Sequence, residues 1–396
     1  MKSIEKDEIL KISKMARQFK IINIIKKNNL NLLFNRIKDR FDIYLPIQDL
    51  NSGLIDFMKW ENIASHEVNG NITNINLTEK TNKSPKFLLF PLSETLFEFE
   101  YKKDLEKPDV VNMELMSSMS SDSSSRNKII FGIKPCDMSA IKMFDLVFGA
   151  GGKQDPYYLN KRNSSIFISV GCSKVHPDCF CTSVGGHPFN FEQADIGMIE
   201  LEEAYAILKI GENVKWIVEE NRDLFEKANL DDENYYAEID KIISESEVKM
   251  ASCYNDVSTD EIPDSMEASF NSDIWKKVTK KCISCGACTY VCPTCVCFNI
   301  CDEIEDLGGE RFRCWDYCMN YYYTLEASGH NPRSDIYQRY RNKINCKYNY
   351  FYKRNKNIYC VGCGRCVEVC PVGMDIREIV NSVLDSVKKV KNIDKK

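Results

Sequence analysis

The sequence predicts an α/β domain followed by a mostly helical, cysteine-dense domain. Three observations carry that expectation. Between residues 86 and 174, short runs rich in Ile, Phe and Val enclose one run with helical periodicity. Residues 252–273 are acidic, poor in large aliphatic side chains and broken by Pro263, as a linker would be. Beyond them, one spacing of four cysteines and a proline occurs twice.

Taken in order, KDEILKISKMARQFKIINIIKK (6–27) and NLLFNRIKDRF (31–41) place apolar residues at helical intervals and read as helices. KFLLFPLSETLFEFEYKK (86–103), NKIIFGIKPCD (127–137) and SSIFISVGCSK (164–174) read as strands with turn residues between them. MSAIKMFDLVFGAGG (138–152) reads as a helix stopped by glycine. Strand, helix, strand defines the α/β domain, taken as residues 1–250. The Ser-rich stretch 116–127 is expected to be a mobile surface loop. Residues 251–273 are the linker, 274–386 the cysteine-dense domain, and 387–396 a basic tail that reads as a solvated helix end.

Composition narrows the function. A net charge of −5 gives no reason to expect a nucleic-acid partner. The start, MKSIEKDEIL, is charged and lacks the apolar core of a secretory signal. No stretch reaches the roughly 20 apolar residues of a membrane helix. A cytoplasmic location follows as the expectation. There, 19 cysteines point to metal rather than to disulfides.

The spacing favours iron and sulfide. Cys282, Cys285, Cys288 and Cys292 follow C-x-x-C-x-x-C-x-x-x-C, with Pro293 next; Cys360, Cys363, Cys366 and Cys370 repeat it before Pro371. This is the bacterial dicluster ferredoxin run, in which the fourth cysteine of each run serves the other cluster. The expected sets are Cys282, Cys285, Cys288 and Cys370 on one [4Fe–4S] cube, and Cys360, Cys363, Cys366 and Cys292 on the second. Gly286 and Gly364 stand where the loop must wrap closely around a cube. Zinc, the alternative, needs only two C-x-x-C pairs and explains neither the third cysteine nor the proline. The 67 residues between Cys292 and Cys360 are aromatic, basic and helical in part, suited to helices packed around the clusters. Lys280, Lys281 and Arg365 lie beside ligand cysteines, where positive charge raises a cluster's potential; a solvated face is the alternative.

Eleven cysteines fall outside the two runs. Cys136, Cys172, Cys179 and Cys181 offer four thiols, the number one cube or one zinc needs, and form a candidate third centre. A redox-silent set or a reversible disulfide is the alternative. His176 and His187 border it and read as solvated polar side chains. Cys253, Cys301, Cys314 and Cys346 read as buried small hydrophobes. Cys295, Cys297 and Cys318 are candidates for further ligands.

Together, GIKPCDMSAIKMFD, CFCTSVGGHPF, CISCGACTYVCPTCVCF, WDYC, GHNPR and CVGCGRCVEVCPVGMDI resemble the dicluster iron–sulfur subunit of soluble sulfhydrogenase-type hydrogenases (the β subunit), to which the corresponding iron–sulfur subunit of anaerobic sulfite reductase is related. The likeness runs from about residue 86 to 380, and its later motifs sit closer to the hydrogenase version. It implies a relay subunit, with flavin and NAD(P)H on one partner and terminal chemistry on another, a hydrogenase or sulfite reductase. Cys295, Cys297 and Cys318 match cysteines of the family's CPTC-x-C and WD-x-C motifs. No dinucleotide-binding G-x-G-x-x-G follows a strand here; GAGGK (149–153) does not fit it. The competing readings are a stand-alone ferredoxin-like carrier, an iron–sulfur enzyme with a substrate-accessible third cluster, and a zinc-bound structural module.

Overall fold

The computed structural model describes residues 20–393 apart from 50, 63–66, 69–70, 73–74, 105, 108–110, 119–125, 152–153, 228–232 and 254–260. Its strands are β1 (Asn23–Lys26), β2 (Asp42–Gln48), β3 (Ile55–Lys59), β4 (Glu67–Val68), β5 (Asn71–Ile72), β6 (Ser93–Lys103) and β7 (Val111–Ser118), then β8 (Lys128–Ile133), β9 (Ser165–Val170), β10 (Ile196–Glu200), β11 (Ala204–Ile210), β12 (Phe225–Lys227), β13 (Phe298–Glu305) and β14 (Gly308–Trp315).

Eight of these form the main sheet, in the order β12-β1-β11-β10-β9-β8-β2-β3. Its centre, β2, β8, β9 and β10, is parallel, and antiparallel strands complete both edges. Buried on both faces, β8 carries a nearly unbroken apolar run, Ile129, Ile130, Phe131 and Ile133. The crossover from β8 to β9 holds the helix Pro135–Phe144 and the helix Pro156–Asn163. The second begins on the Asp155 side chain, which accepts from the Tyr158 amide, with proline at its first position. This crossover brings Cys136 and Cys172 to the same edge, at the carboxyl ends of neighbouring parallel strands.

A second sheet, β13-β14-β6-β7, departs from the expected division of the chain. The hairpin β13–β14 lies between the two cysteine runs, yet β14 pairs with β6 along its length. The cysteine-rich region is therefore helical only in part. Arg313 on β14 is buried and donates to Glu94, 2.8 Å away, and to Asp155, which ties the hairpin to the α/β region.

Helices fill the rest of that region. Ile336–Asn345 starts on a capping box, Asp335 with Gln338. Its Tyr340 and Ile344 pack with Trp275, Tyr348, Ile376 and Val383 in one apolar core. The long helix Ile376–Ile393 covers the core, so the expected tail is mostly helix; residues 394–396 lie outside the described residues.

Three local expectations are corrected. Residues 23–26 are strand, because Ile24 and Ile25 bury on opposite faces when β1 pairs with β11. Within the expected linker, Ile262–Ala268 is a helix that opens with Pro263 and buries Ile262 and Met266, one turn apart, beside Trp275. Residues 116–118 end β7. The rest of the Ser-rich stretch that falls at 119–125, and the helix expected over 6–19, lie outside the described residues.

Candidate metal centres

Each cysteine run turns back on itself through a left-handed glycine that opens a short helix, Gly286 before Ala287–Tyr290 and Gly364 before Arg365–Glu368. The structure shows what these glycines avoid. A Cβ at Gly286 would stand 2.4 Å from the Tyr317 ring, and one at Gly364 2.4 Å from the Asp178 carbonyl oxygen. Close approach is required at both, but by neighbouring protein as well as by the wrap of the loop.

The runs interleave. Cys282, Cys285 and Cys288 line one cavity together with Cys370 from the second run. Cys360, Cys363 and Cys366 line another together with Cys292 from the first. Cys288 and Cys366 border both, so the two cavities abut. Amides point at the sulfurs: Ser284 N lies 3.4 Å from Cys282 Sγ and Met374 N 3.2 Å from Cys370 Sγ. Cys285 is the exposed member of the set.

Buried cations mark the site most strongly. Lys343 and Lys347, one turn apart, are only 2% and 3% exposed. Lys343 Nζ donates to Cys288 Sγ at 2.8 Å and Lys347 Nζ to Cys292 Sγ at 3.2 Å. Neither has a carboxylate within ion-pair distance among the described residues. Burial works against both charges, yet the attraction of the neighbouring thiolates, Cys288 for one and Cys292 for the other, holds each well above the usual lysine range. A third lysine, Lys86, comes from the α/β region. It donates to the Cys292 and Cys295 carbonyls at 2.9 Å each and stands 4.1 Å from the centre of the Trp315 ring. A buried ammonium without an anion costs several kcal/mol, about the penalty that ion pairing must repay. A thiolate-ligated iron–sulfur cluster is such an anion, and these residues fit one at each cavity.

Arg365 is corrected in its role. It is 1% exposed and doubly bonded to buried Asp137, at 2.8 and 2.7 Å. Its charge is therefore spent on a carboxylate, and it rivets the second run to the helix that carries Cys136. Lys280 and Lys281 are exposed, the solvated face.

The thiols outside the runs fall into two places. Cys136, Cys172, Cys179 and Cys181 line one cavity of about 230 Å³ with Lys80, Lys134 and the two histidines. Both histidines are engaged. His187 Nδ1 accepts from the Phe189 amide and Nε2 faces Glu247 at 3.1 Å; His176 Nδ1 accepts from the Asp178 amide. The other place lies against the clusters' cavities. There a hydrogen bond from Cys318 holds the Cys297 thiol below the usual range, with Tyr323 also bonded to it, and Cys292 and Cys295 share a hydrogen bond of the same kind. Neither Cys295, Cys297 nor Cys318 lines either run-derived cavity. Cys253, Cys301, Cys314 and Cys346 are half-buried rather than buried; Cys301 and Cys314 are diagonal neighbours across the hairpin. Among the described residues, no three His, Cys, Asp or Glu side chains close on a single-ion site.

Comparison with known proteins agrees with this geometry. Residues 281–374 match the family model of a 4Fe-4S dicluster domain, which assigns two [4Fe–4S] clusters to this region. Sulfhydrogenase 2 subunit beta of Pyrococcus furiosus is 33% identical over 261 residues, covering 64% of this chain and 73% of that protein. The chain belongs to the family of dicluster iron–sulfur hydrogenase β subunits. It is an iron–sulfur electron-transfer subunit of a hydrogenase-type complex. No solved structure matches the chain. Among the described residues no helix is long and apolar enough to cross a membrane.

Lys86, Lys343 and Lys347 escaped the sequence reading. The two helical lysines carry a signal in hindsight: K-x-x-x-K places both on one face of a helix otherwise lined by Tyr340, Ile344 and Tyr348. Lys86 carries none, since it reaches the clusters only through the fold.

Proposed function

We propose that this β subunit relays single electrons in the cytoplasm between a flavin- and NAD(P)H-binding partner and a hydrogenase-type catalytic subunit. Cys282, Cys285, Cys288 and Cys370 hold the first cluster; Cys360, Cys363, Cys366 and Cys292 hold the second. The observation that carries the reading is the abutment of two four-cysteine cavities through Cys288 and Cys366, each with a buried lysine at a ligand sulfur. When bound, the clusters supply one-electron oxidation and reduction without bond making. The chain's own residues do the rest. Cys288 and Cys366 keep the centres adjacent. Met319, Tyr340 and Ile376 wall the first cavity and limit water. Lys343, Lys347 and the amides of Ser284 and Met374 favour the more negative, reduced state. The relative's name supports a hydrogenase partner over a sulfite reductase.

The test is anaerobic purification followed by iron, sulfide and zinc analysis of the full chain and of Cys288→Ser and Cys292→Ser. Loss of one cluster's signal in each variant supports the assignment. Zinc without iron in the parent protein overturns it. Mixing the loaded chain with a flavin reductase and following NADH-dependent bleaching near 400 nm, on the order of the usual iron–sulfur band, tests the donor side.

A further inference from the structure

A further cavity, at the edge of the α/β region where it meets the second cysteine run, holds four cysteines that lie outside both runs. We propose that Cys136, Cys172, Cys179 and Cys181 hold a third [4Fe–4S] cluster there, which passes electrons to the second cluster; the relay reading above is its premise. The four thiols reach one cavity of about 230 Å³ from three separate points in the chain. Cys136 opens the helix after β8, Cys172 follows β9, and Cys179 and Cys181 come from the next loop. The place is the carboxyl end of a parallel sheet, where α/β folds gather their ligands.

Two further observations point to an anionic group. Lys134 is 3% exposed, lines this cavity and bonds only to the Leu77, Thr78 and Gly171 carbonyls, with no carboxylate within ion-pair distance among the described residues. Like Lys343 and Lys347 it is a buried ammonium without a carboxylate beside a cavity of cysteines, although it donates to carbonyls rather than to a thiol. Lys80 is the second cation of the cavity, shared between the Cys363 carbonyl at 3.0 Å and Glu368 at 3.0 Å.

The second cysteine run is pressed onto this loop. Phe180 N donates to Gly362 O at 2.8 Å, and Cys179 Sγ lies 3.7 Å from Cys363 O. A Cβ at Gly362 would stand 2.5 Å from Cys181 Cα and N, and Gly362 is left-handed at φ +62°. Phe180 and Gly362 also wall the second run-derived cavity. Both constraints bring the loop Cys179–Cys181 against a ligand of the second cluster, and Cys363 itself lines both cavities. The order is then third, second, first, a single file that ends at exposed Cys285.

A cluster fits better than one zinc ion. Zinc would need its thiolates about 2.3 Å from one point. Among the described residues no three candidate ligands close on one such point, here or at the two run-derived cavities. His187 has both ring nitrogens engaged and His176 its Nδ1; the four cysteines are a full ligand set for a cube, and each gives up its proton on binding.

The experiment uses the full chain, purified anaerobically and reconstituted with ferrous iron and sulfide. Iron and zinc are counted, and low-temperature EPR is recorded during a reductive titration, for the parent, Cys136→Ser/Cys172→Ser and Cys179→Ser/Cys181→Ser. The expected result is about twelve irons in the parent and about eight in both variants, with one EPR component lost and the other two kept. About eight irons in all three overturns the third cluster and leaves the two-cluster relay standing. The same follows if a zinc ion is lost from the variants while iron stays at about eight. No iron in the parent overturns both readings. The parent's count decides the matter even where a variant fails to fold.

Discussion

Replacing Lys343 with methionine should lower the reduction potential of the first cluster. Methionine keeps the length and apolar stem of the side chain and deletes its charge. Lys343 Nζ stands 2.8 Å from Cys288 Sγ and is 2% exposed, so its field is little screened by solvent. Reduction adds one negative charge, spread over the cluster. With about 5 Å between ammonium and charge centre and an effective dielectric of about 20, the attraction is about 3 kcal/mol. At 59 mV per tenfold for a one-electron couple this is about 140 mV, and some water entry reduces it, so a fall of about 50–150 mV is expected. Loss of the N–H···S hydrogen bond acts in the same direction. The assay is a potentiometric titration followed by low-temperature EPR. Lys343→Arg, which keeps the charge, should stay within about 30 mV of the parent, as should Lys276→Met on the exposed side of the short helix Ile274–Val278, since solvent screens a surface charge. A Lys343→Met protein with both clusters loaded and an unchanged midpoint would refute the idea that the buried lysine sets the potential.

Four further outcomes follow from the same geometry. Lys347→Met should lower the second cluster's midpoint by a comparable amount and leave the first nearly unmoved, which separates the two EPR components by titration. Asp137→Ala strands Arg365 in the interior and should cost about 3–5 kcal/mol, read as a large fall in Tm by circular dichroism, while Lys83→Ala on the surface should cost under about 1 kcal/mol. Gly364→Ala meets the Asp178 carbonyl at 2.4 Å in a left-handed turn, so it should lose at least about 2 kcal/mol of stability and load fewer irons than the parent. Stripping the clusters with an oxidant and a chelator removes the counter-charge of Lys343 and Lys347; amide exchange should then rise across 336–355, and iron with sulfide should restore protection.

What could be read in advance depended on range. The ferredoxin runs are local chemistry, in which spacing alone brings three thiols to one turn, so they were legible at a glance. The β8 and β9 strands were legible because burial on both faces leaves a continuous apolar run. The hairpin β13–β14 was not. FNICDEIE is only half apolar; it is strand because it pairs with β14, and β14 is held in turn by β6, some 200 residues earlier, as in the pairing of Arg311 with Phe97. The linker was misread for a related reason. Its helix Ile262–Ala268 has two buried apolar side chains among acidic ones, and only the pocket beside Trp275 gives them value. Arg365 reads in sequence like any charge beside a cysteine; its partner Asp137 lies 228 positions away. Long-range partners, not weak local preference, account for each miss.

The central claim is that two clusters sit side by side in interleaved cysteine sets and exchange single electrons. Low-temperature EPR of the fully reduced full chain tests it most directly. Adjacent paramagnetic clusters should give a broadened spectrum, split by their magnetic interaction, that sharpens into a simple signal when the protein is only partly reduced. A fully reduced sample with at least about eight irons that shows only sharp, independent signals would contradict the account, because the clusters would then lie too far apart to form one relay.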